Sequence, residues 1–182
     1  MTDALKLRLK NVIKFVPDFP KAGICFWDIM PIFRDPKLVT DLCNAIAAHL
    51  KEANPGGVTA VAGLEARGFL FGPQVAVLLG VPFIPIRKKG KLPGKVVEER
   101  YQKEYGFDVI ELQEDALTAT DKVVIVDDLL ATGGTLRAAV NLVRKTGASV
   151  AEAFVIVQLN KEDGSPLYSE DLSDINVVHW IN

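Results

Sequence analysis

At 182 residues, 49% of them hydrophobic and 24% charged, the chain suits a single globular domain and can bury a sizeable core. Its 21 basic and 23 acidic side chains leave a net charge of −2, which excludes general attraction to nucleic acid or to a membrane surface and confines any basic patch to one locality. Two cysteines outside any CxxC (Cys25, Cys43), two distant histidines (His49, His179) and no serine in a GxSxG exclude a disulfide framework, a metal-ligand cluster and the usual hydrolytic triad. The amino terminus has no apolar signal core and no apolar run approaches the roughly 18 residues of a membrane span, so a cytoplasmic protein is expected.

In chain order, Ala4 to Phe15 places Leu5, Leu7, Leu9, Val12 and Ile13 among basic residues and predicts a short amphipathic helix. Val16 to Pro36 holds four prolines, which forbid a long helix and predict an ordered irregular loop with its aromatics buried. Lys37 to Ala53 repeats Leu38, Leu42, Ile46 and Leu50 at fourfold spacing behind Asp35 and Pro36, a helix that covers one sheet face. Val58 to Leu64 reads as a buried strand, followed by the loop EARG, a helix from about Phe69 to Leu79 and a further strand over Val81 to Ile86.

The most informative stretch is VVIVDDLLATGGT, Val123 to Thr135. An apolar β-branched run predicts a strand buried on both faces, with Asp127 and Asp128 at its carboxyl end. Adjacent carboxylates there are costly to desolvate, so they should meet hydroxyls, a cation or a metal-bound substrate. Thr132 to Thr135 has no bulky side chain, and Gly133 and Gly134 free the backbone to bring amides onto a phosphate at the start of a helix that runs from about Gly134 to Lys145. An ordinary strand-to-helix turn is the plainer alternative. A Walker loop fits poorly, because GGT is followed by Leu136 and no GxxxxGK[ST] occurs, and no GxGxxG is present. With a last strand near Ala151 to Leu159, the alternation predicts a central, mostly parallel sheet flanked by helices, whose sites lie at strand carboxyl ends. Three such ends carry polar clusters, namely Glu65 with Arg67, Arg87 to Lys91, and Asp127 with Asp128.

In GLEARGFLFGP, Gly63 to Pro73, Arg67 either caps and pairs on the surface or, with nearby amides, holds a pyrophosphate. The run Arg87, Lys88, Lys89, Lys91 reads as a solvated edge, a nucleic-acid patch or, given Gly90, Pro93 and Gly94, a mobile basic loop. The two hydrophobics, two acids, three spacers and TGGT of Val123 to Thr135 resemble the phosphoribosyl pyrophosphate signature of type I phosphoribosyltransferases. Together with Gly63 to Pro73, IRKKGKLPG (Ile86 to Gly94), EYG (Glu104 to Gly106) and the segment from Val16 to Ile29, it resembles the adenine phosphoribosyltransferase family in order and spacing, from about Val16 to Leu159. The resemblance weakens at Gln158, where glutamate is frequent, at Trp27, where a polar residue is usual, and over Asn160 to Asn182, which matches no pattern.

The resemblance implies one domain over 1–182, with a small hood built from about 1–35 and the C-terminal segment, and a flexible catalytic loop over about 87–106. It implies transfer of the phosphoribosyl group of phosphoribosyl pyrophosphate to adenine, giving AMP and pyrophosphate. By the same resemblance Asp127, Asp128, Ala131, Thr132, Gly133, Gly134 and Thr135 hold the ribose phosphate, and Glu65, Ala66, Arg67, Gly68, Arg87, Lys88, Lys91 and Tyr105 hold the pyrophosphate. Ile24, Phe26, Trp27, Leu130 and Leu159 take the adenine, and Glu104 exchanges the proton on its imidazole ring. Mg2+ is expected on substrate oxygens and water near Asp127 and Asp128, with no direct protein ligand. A homodimer is expected, its basic loop reaching the neighbouring site, with no nucleic-acid or membrane partner. The alternatives are an oxopurine phosphoribosyltransferase and a regulatory protein that senses a purine or phosphoribosyl pyrophosphate. The former carries an aspartate where this chain has Ala131, and the latter tends to lose the loop acid that Glu104 retains.

Overall fold

The computed structural model describes residues 3–102, 106–161 and 163–182. The first helix, α1 (Asp3–Val12), buries Leu5 and Leu9 and stops before the residues expected to finish it. Lys14–Val16 instead forms a strand, β1, that pairs antiparallel with β2 (Phe26–Asp28), Phe15 lying opposite Trp27. The proline-rich stretch is therefore a small two-stranded ribbon and not only a loop. Edge-to-face ring pairs hold it, with centroids 4.6 Å apart for Phe15 and Trp27 and 5.2 Å for Phe19 and Phe26.

A short 3-10 turn (Met30–Arg34) leads to α2 (Pro36–Ala53). Asp35 caps this helix by accepting from the amides of Lys37 and Leu38 at 2.9 and 3.1 Å, and proline at the first helical position needs no partner for a missing N–H. The fourfold spacing then does what it predicts, putting Leu38, Leu42, Ile46 and Leu50 in the core.

The main sheet has seven strands in the order β5-β6-β4-β3-β7-β8-β9. Its parallel part consists of β3 (Ala60–Leu64), β4 (Phe83–Lys88), β7 (Lys122–Leu130), β8 (Ser149–Gln158) and β9 (Val177–Ile181). The strands β5 (Val96–Gln102) and β6 (Phe107–Gln113) add an antiparallel ribbon beyond β4. Alternation along β7 explains why it lies at the centre: Val124 and Val126 pack with α2 and with α3 (Gly72–Leu79), while Val123 and Ile125 pack with α4 (Gly134–Lys145). The expected mostly parallel sheet between helices is thus present.

Three local readings need correction. The expected helix from Phe69 is a 3-10 turn (Arg67–Leu70) followed by α3. The segment 87–106, expected as a loop, begins with the last residues of β4 and includes β5, which lies along α4; the sequence concealed this strand because Glu98, Glu99 and Arg100 interrupt its apolar pattern. The unmatched tail contributes β9, which completes the sheet beside β8. No helix among the described residues is long and apolar enough to cross a membrane.

The turn after β3 lies hard against β7. A Cβ built on Gly68 would stand 2.6 Å from the carbonyl oxygen of Val126, backbone that cannot swing aside as a side chain would. Gly68→Ala should therefore lower stability by about 1–3 kcal/mol in urea denaturation. An unchanged midpoint would show that the turn is free to move off the strand.

Candidate active site

The last residues of β7 carry the acidic pair. The ladder with β8 continues to Leu130 opposite Gln158, so Asp127 and Asp128 sit within the strand, and both line one cleft. Asp128 is buried, 2% exposed, and its carboxylate accepts from Arg67 Nε at 2.5 Å. Arg67 comes from the 3-10 turn after β3, so the pair joins the carboxyl ends of neighbouring strands. Asp127 is half-buried, and its Oδ1 accepts from the Asp128 amide at 2.9 Å. Burial, then the negative charge of Asp128, raises the Asp127 carboxyl well above the usual carboxylate range.

Beyond the strand, the chain turns through Ala131, Thr132 and Gly133 into α4. Gly133 has φ +89°, and its open side is filled by the strap that follows β8, with Glu170 and Tyr168 Cβ atoms 3.1 and 3.2 Å from where its own Cβ would be. The conformational freedom expected of both glycines is used at Gly133; Gly134 has ordinary φ and meets the Gln102 carbonyl oxygen at 3.4 Å from a built Cβ. The amides of the first α4 turn lack intrahelical partners, and the positive end of the helix dipole faces the loop.

These elements enclose a cleft of about 310 Å³, a size suited to a small ligand. Its wall takes Glu65, Ala66 and Arg67 from one strand end, Lys88 from β4, and Asp127, Asp128, Leu130, Ala131, Thr132, Gly133 and Thr135 from β7 and its loop. Three separate strand ends thus meet, as their polar clusters suggested. The Glu65–Ala66 peptide bond is cis. Gly68 lies under the wall against β7.

The expected pyrophosphate residues divide into two groups. Arg87 is engaged by Glu65 in a bidentate pair, 3.1 Å from Nε to Oε2 and 2.9 Å from Nη2 to Oε1, and also donates to the Lys91 carbonyl oxygen at 3.0 Å. The guanidinium holds the Glu65 carboxyl below its ordinary range. Lys88 lines the cleft, whereas the turn at Lys91 is tied away from it, with the Lys91 and Leu92 amides donating to Glu111 at 2.9 and 3.0 Å. Glu104 and Tyr105 lie outside the described residues.

The expected adenine residues are likewise split. Leu130 lines the cleft, and the Leu159 amide donates to its carbonyl oxygen at 2.9 Å. Phe26 approaches from the ribbon, with the Arg67 guanidinium carbon 5.6 Å from its ring centroid. Trp27 is next along β2 and turns the other way, edge-on to Phe15, so its side chain serves the ribbon's packing. Ile24 sits in a turn, 42% exposed, its amide donating to Lys21 and its carbonyl accepting from Phe19. Of the five expected adenine residues the cleft wall includes Leu130 and not Ile24, Phe26, Trp27 or Leu159.

Sequence reasoning missed Tyr101, which lines the cleft from β5 and accepts from Thr135 Oγ1 at 3.3 Å. Its signal was the alternation of Val97, Glu99 and Tyr101 on one side of β5. The donor set does not make a metal site by itself, since the Asp128 carboxylate already serves Arg67 and its neighbour favours the protonated form. The pair fits a cation that arrives already held by ligand oxygens.

The raised carboxyl of Asp127 has a definite sign. In the unliganded fold its protonated form contributes stability that is full below the ordinary carboxylate pKa and lost as pH rises through the raised value. A ribose phosphate whose hydroxyls donate to the carboxylate favours the charged form, so binding releases a proton and tightens as pH rises through that value. Calorimetry of ribose 5-phosphate in two buffers of different ionisation enthalpy should show more proton release for the unsubstituted protein than for Asp127→Asn, the remainder coming from the phosphate, whose second pKa is about 6; equal release would remove Asp127 from the binding step.

The phosphoribosyl transferase domain family model matches residues 33–181. An adenine phosphoribosyltransferase of Caenorhabditis elegans is 54% identical over 180 residues, covering 99% of this chain and 95% of that protein. One of Shewanella pealeana is 48% identical over 180 residues, covering 98% and 96%. The crystal structure of the Saccharomyces cerevisiae adenine phosphoribosyltransferase, complexed with an imino-altritol bisphosphate and adenine, superposes with a TM-score of 0.90 at 41% identity, covering 98% of this chain and 99% of that one. With this agreement over almost the whole length, and with the glycine turn and acidic pair at the expected strand end, the chain belongs to the adenine phosphoribosyltransferase family.

Proposed function

We propose that the cleft at the end of β7 performs the family's reaction through the residues that line it. The chain transfers the phosphoribosyl group of phosphoribosyl pyrophosphate to adenine, giving AMP and pyrophosphate, a purine-salvage reaction. The observation that carries the site assignment is the run from Asp127 and Asp128 into the Gly133 turn at the start of α4, beside Arg67. The loop Ala131 to Thr135 takes the ribose phosphate on amides and hydroxyls, and Asp127 and Asp128 meet the ribose hydroxyls. Arg67, Lys88 and the amides after Glu65 take the pyrophosphate, with Arg87 available once Glu65 releases it. Asp127 and Asp128 would hold Mg2+ through water once it arrives on substrate oxygens, and the ion would supply positive charge against that of the leaving group.

Base choice follows from Ala131. Its methyl group lines the cleft where oxopurine enzymes carry an aspartate, and a methyl exchanges no proton. Glu104 takes that role in this reading. Phe26 and Leu130 offer apolar surface to the ring. The β1–β2 ribbon and the strap after β8 form the hood of a single domain, and the enzyme acts in the cytoplasm as a homodimer. Two free cysteines suit a reducing compartment, and Val77 and Leu78 of α3, 79% and 40% exposed, offer an apolar face for a second copy.

A pyrophosphate-release assay with each purine base tests the reading. Adenine should exceed hypoxanthine and guanine by at least about 100-fold in kcat/KM. Comparable values for adenine and hypoxanthine would remove the argument from Ala131. Glu104→Gln should lower kcat by about 100-fold or more with little change in the adenine KM. Single-turnover chemistry at the normal rate in that variant would transfer the proton exchange to water or to another group.

A further inference from the structure

The strap between β8 and β9 is bound to the phosphate loop and to α4 at once. The Ser169 amide donates to the Thr132 carbonyl oxygen at 3.2 Å, and Glu170 and Tyr168 fill the space beside Gly133. Leu172 is buried against the α4 side of the sheet, and Asp174 then receives two arginines of α4, Arg137 at 2.6 Å and Arg144 at 2.5 Å. One carboxylate thus fixes the strap to the helix whose first turn faces the cleft.

The peptide plane gives these contacts a direction. In the trans peptide joining Thr132 to Gly133, the carbonyl and the N–H point to opposite sides. Ser169 draws the carbonyl outward to the strap, so the Gly133 N–H is turned inward to the cleft that both residues line. A strap that drifted would let this peptide rotate and take the amide with it.

We propose that Asp174 is a positioning residue for the ribose phosphate: by clamping the strap onto Arg137 and Arg144 it holds the Thr132–Gly133 peptide with its N–H aimed at the phosphate. Asp174 is not among the residues that line the cleft, and the inference rests on the assignment of Ala131 to Thr135 as the phosphate loop. Its effect is confined to ligands that carry the phosphate.

Calorimetric binding of AMP and of adenosine to the full chain separates the cases. Asp174→Asn should weaken AMP on the order of 10-fold, as loss of an orienting partner does, while adenosine affinity stays as it is. Asp174→Glu, which keeps the charge, should recover much of the loss. In the assay, the variant should raise the KM for phosphoribosyl pyrophosphate and leave kcat nearly unchanged. Equal losses for AMP and adenosine, or no loss for either, would overturn the proposal. Gly133→Ala serves as the reference: if it weakens AMP and Asp174→Asn does not, the clamp is refuted and the phosphate loop stands, whereas if Gly133→Ala leaves AMP untouched the loop assignment itself falls.

Discussion

The bond between Arg67 and Asp128 is the constraint on which the site depends. A carboxylate at 2% exposure is costly to desolvate without a partner, and the Arg67 guanidinium supplies one. The partner comes from a turn that reaches β7 only because Gly68 has no side chain to hold it off. Fold and site therefore share one contact. The arginine that satisfies the buried acid is by the same geometry placed at the mouth of the cleft, 40% exposed and beside the Phe26 ring.

Around that contact the charges are sorted by neighbour. Asp128 has a guanidinium, while Asp127, one residue earlier, is pushed up by burial and then by the negative charge of Asp128, against the lowering effect of the Asp128 amide it accepts from. Facing them, Glu65 is held charged by Arg87. The apolar lining at Leu129, Leu130, Leu136 and Val155 keeps the floor of the cleft dry enough for these differences to persist.

Much of this was legible where the signal is local. The α2 helix could be read from Leu38, Leu42, Ile46 and Leu50 and its capping Asp35, and β7 with α4 from a β-branched run followed by a glycine turn. The acidic pair, Arg67 and Ala131 were found in the cleft because motif and strand end coincide in sequence. What was hidden depends on partners far along the chain. Nothing near Arg87 shows that it will be held by Glu65, 22 residues earlier, and nothing in the tail shows that Ser169 will meet Thr132. Strand β9 is specified by the open edge of β8, and β5 by the α4 surface its alternate residues cover. Trp27 illustrates the converse. Its place in a motif suggested contact with the base, but strand alternation assigns its ring to Phe15.

The Glu65–Arg87 pair carries a consequence for turnover. With two of its three guanidinium nitrogens already matched to carboxylate oxygens, Arg87 has in Glu65 a resident mimic of an oxyanion ligand. A pyrophosphate that recruits Arg87 must displace this tethered competitor, whose local concentration never falls. Such an exchange would keep the arginine ordered for the incoming group and would weaken the grip on the departing one, because the vacated guanidinium has a carboxylate to return to. In the proposed reaction, which releases pyrophosphate, this arrangement would limit product inhibition through one side chain outside the chemistry.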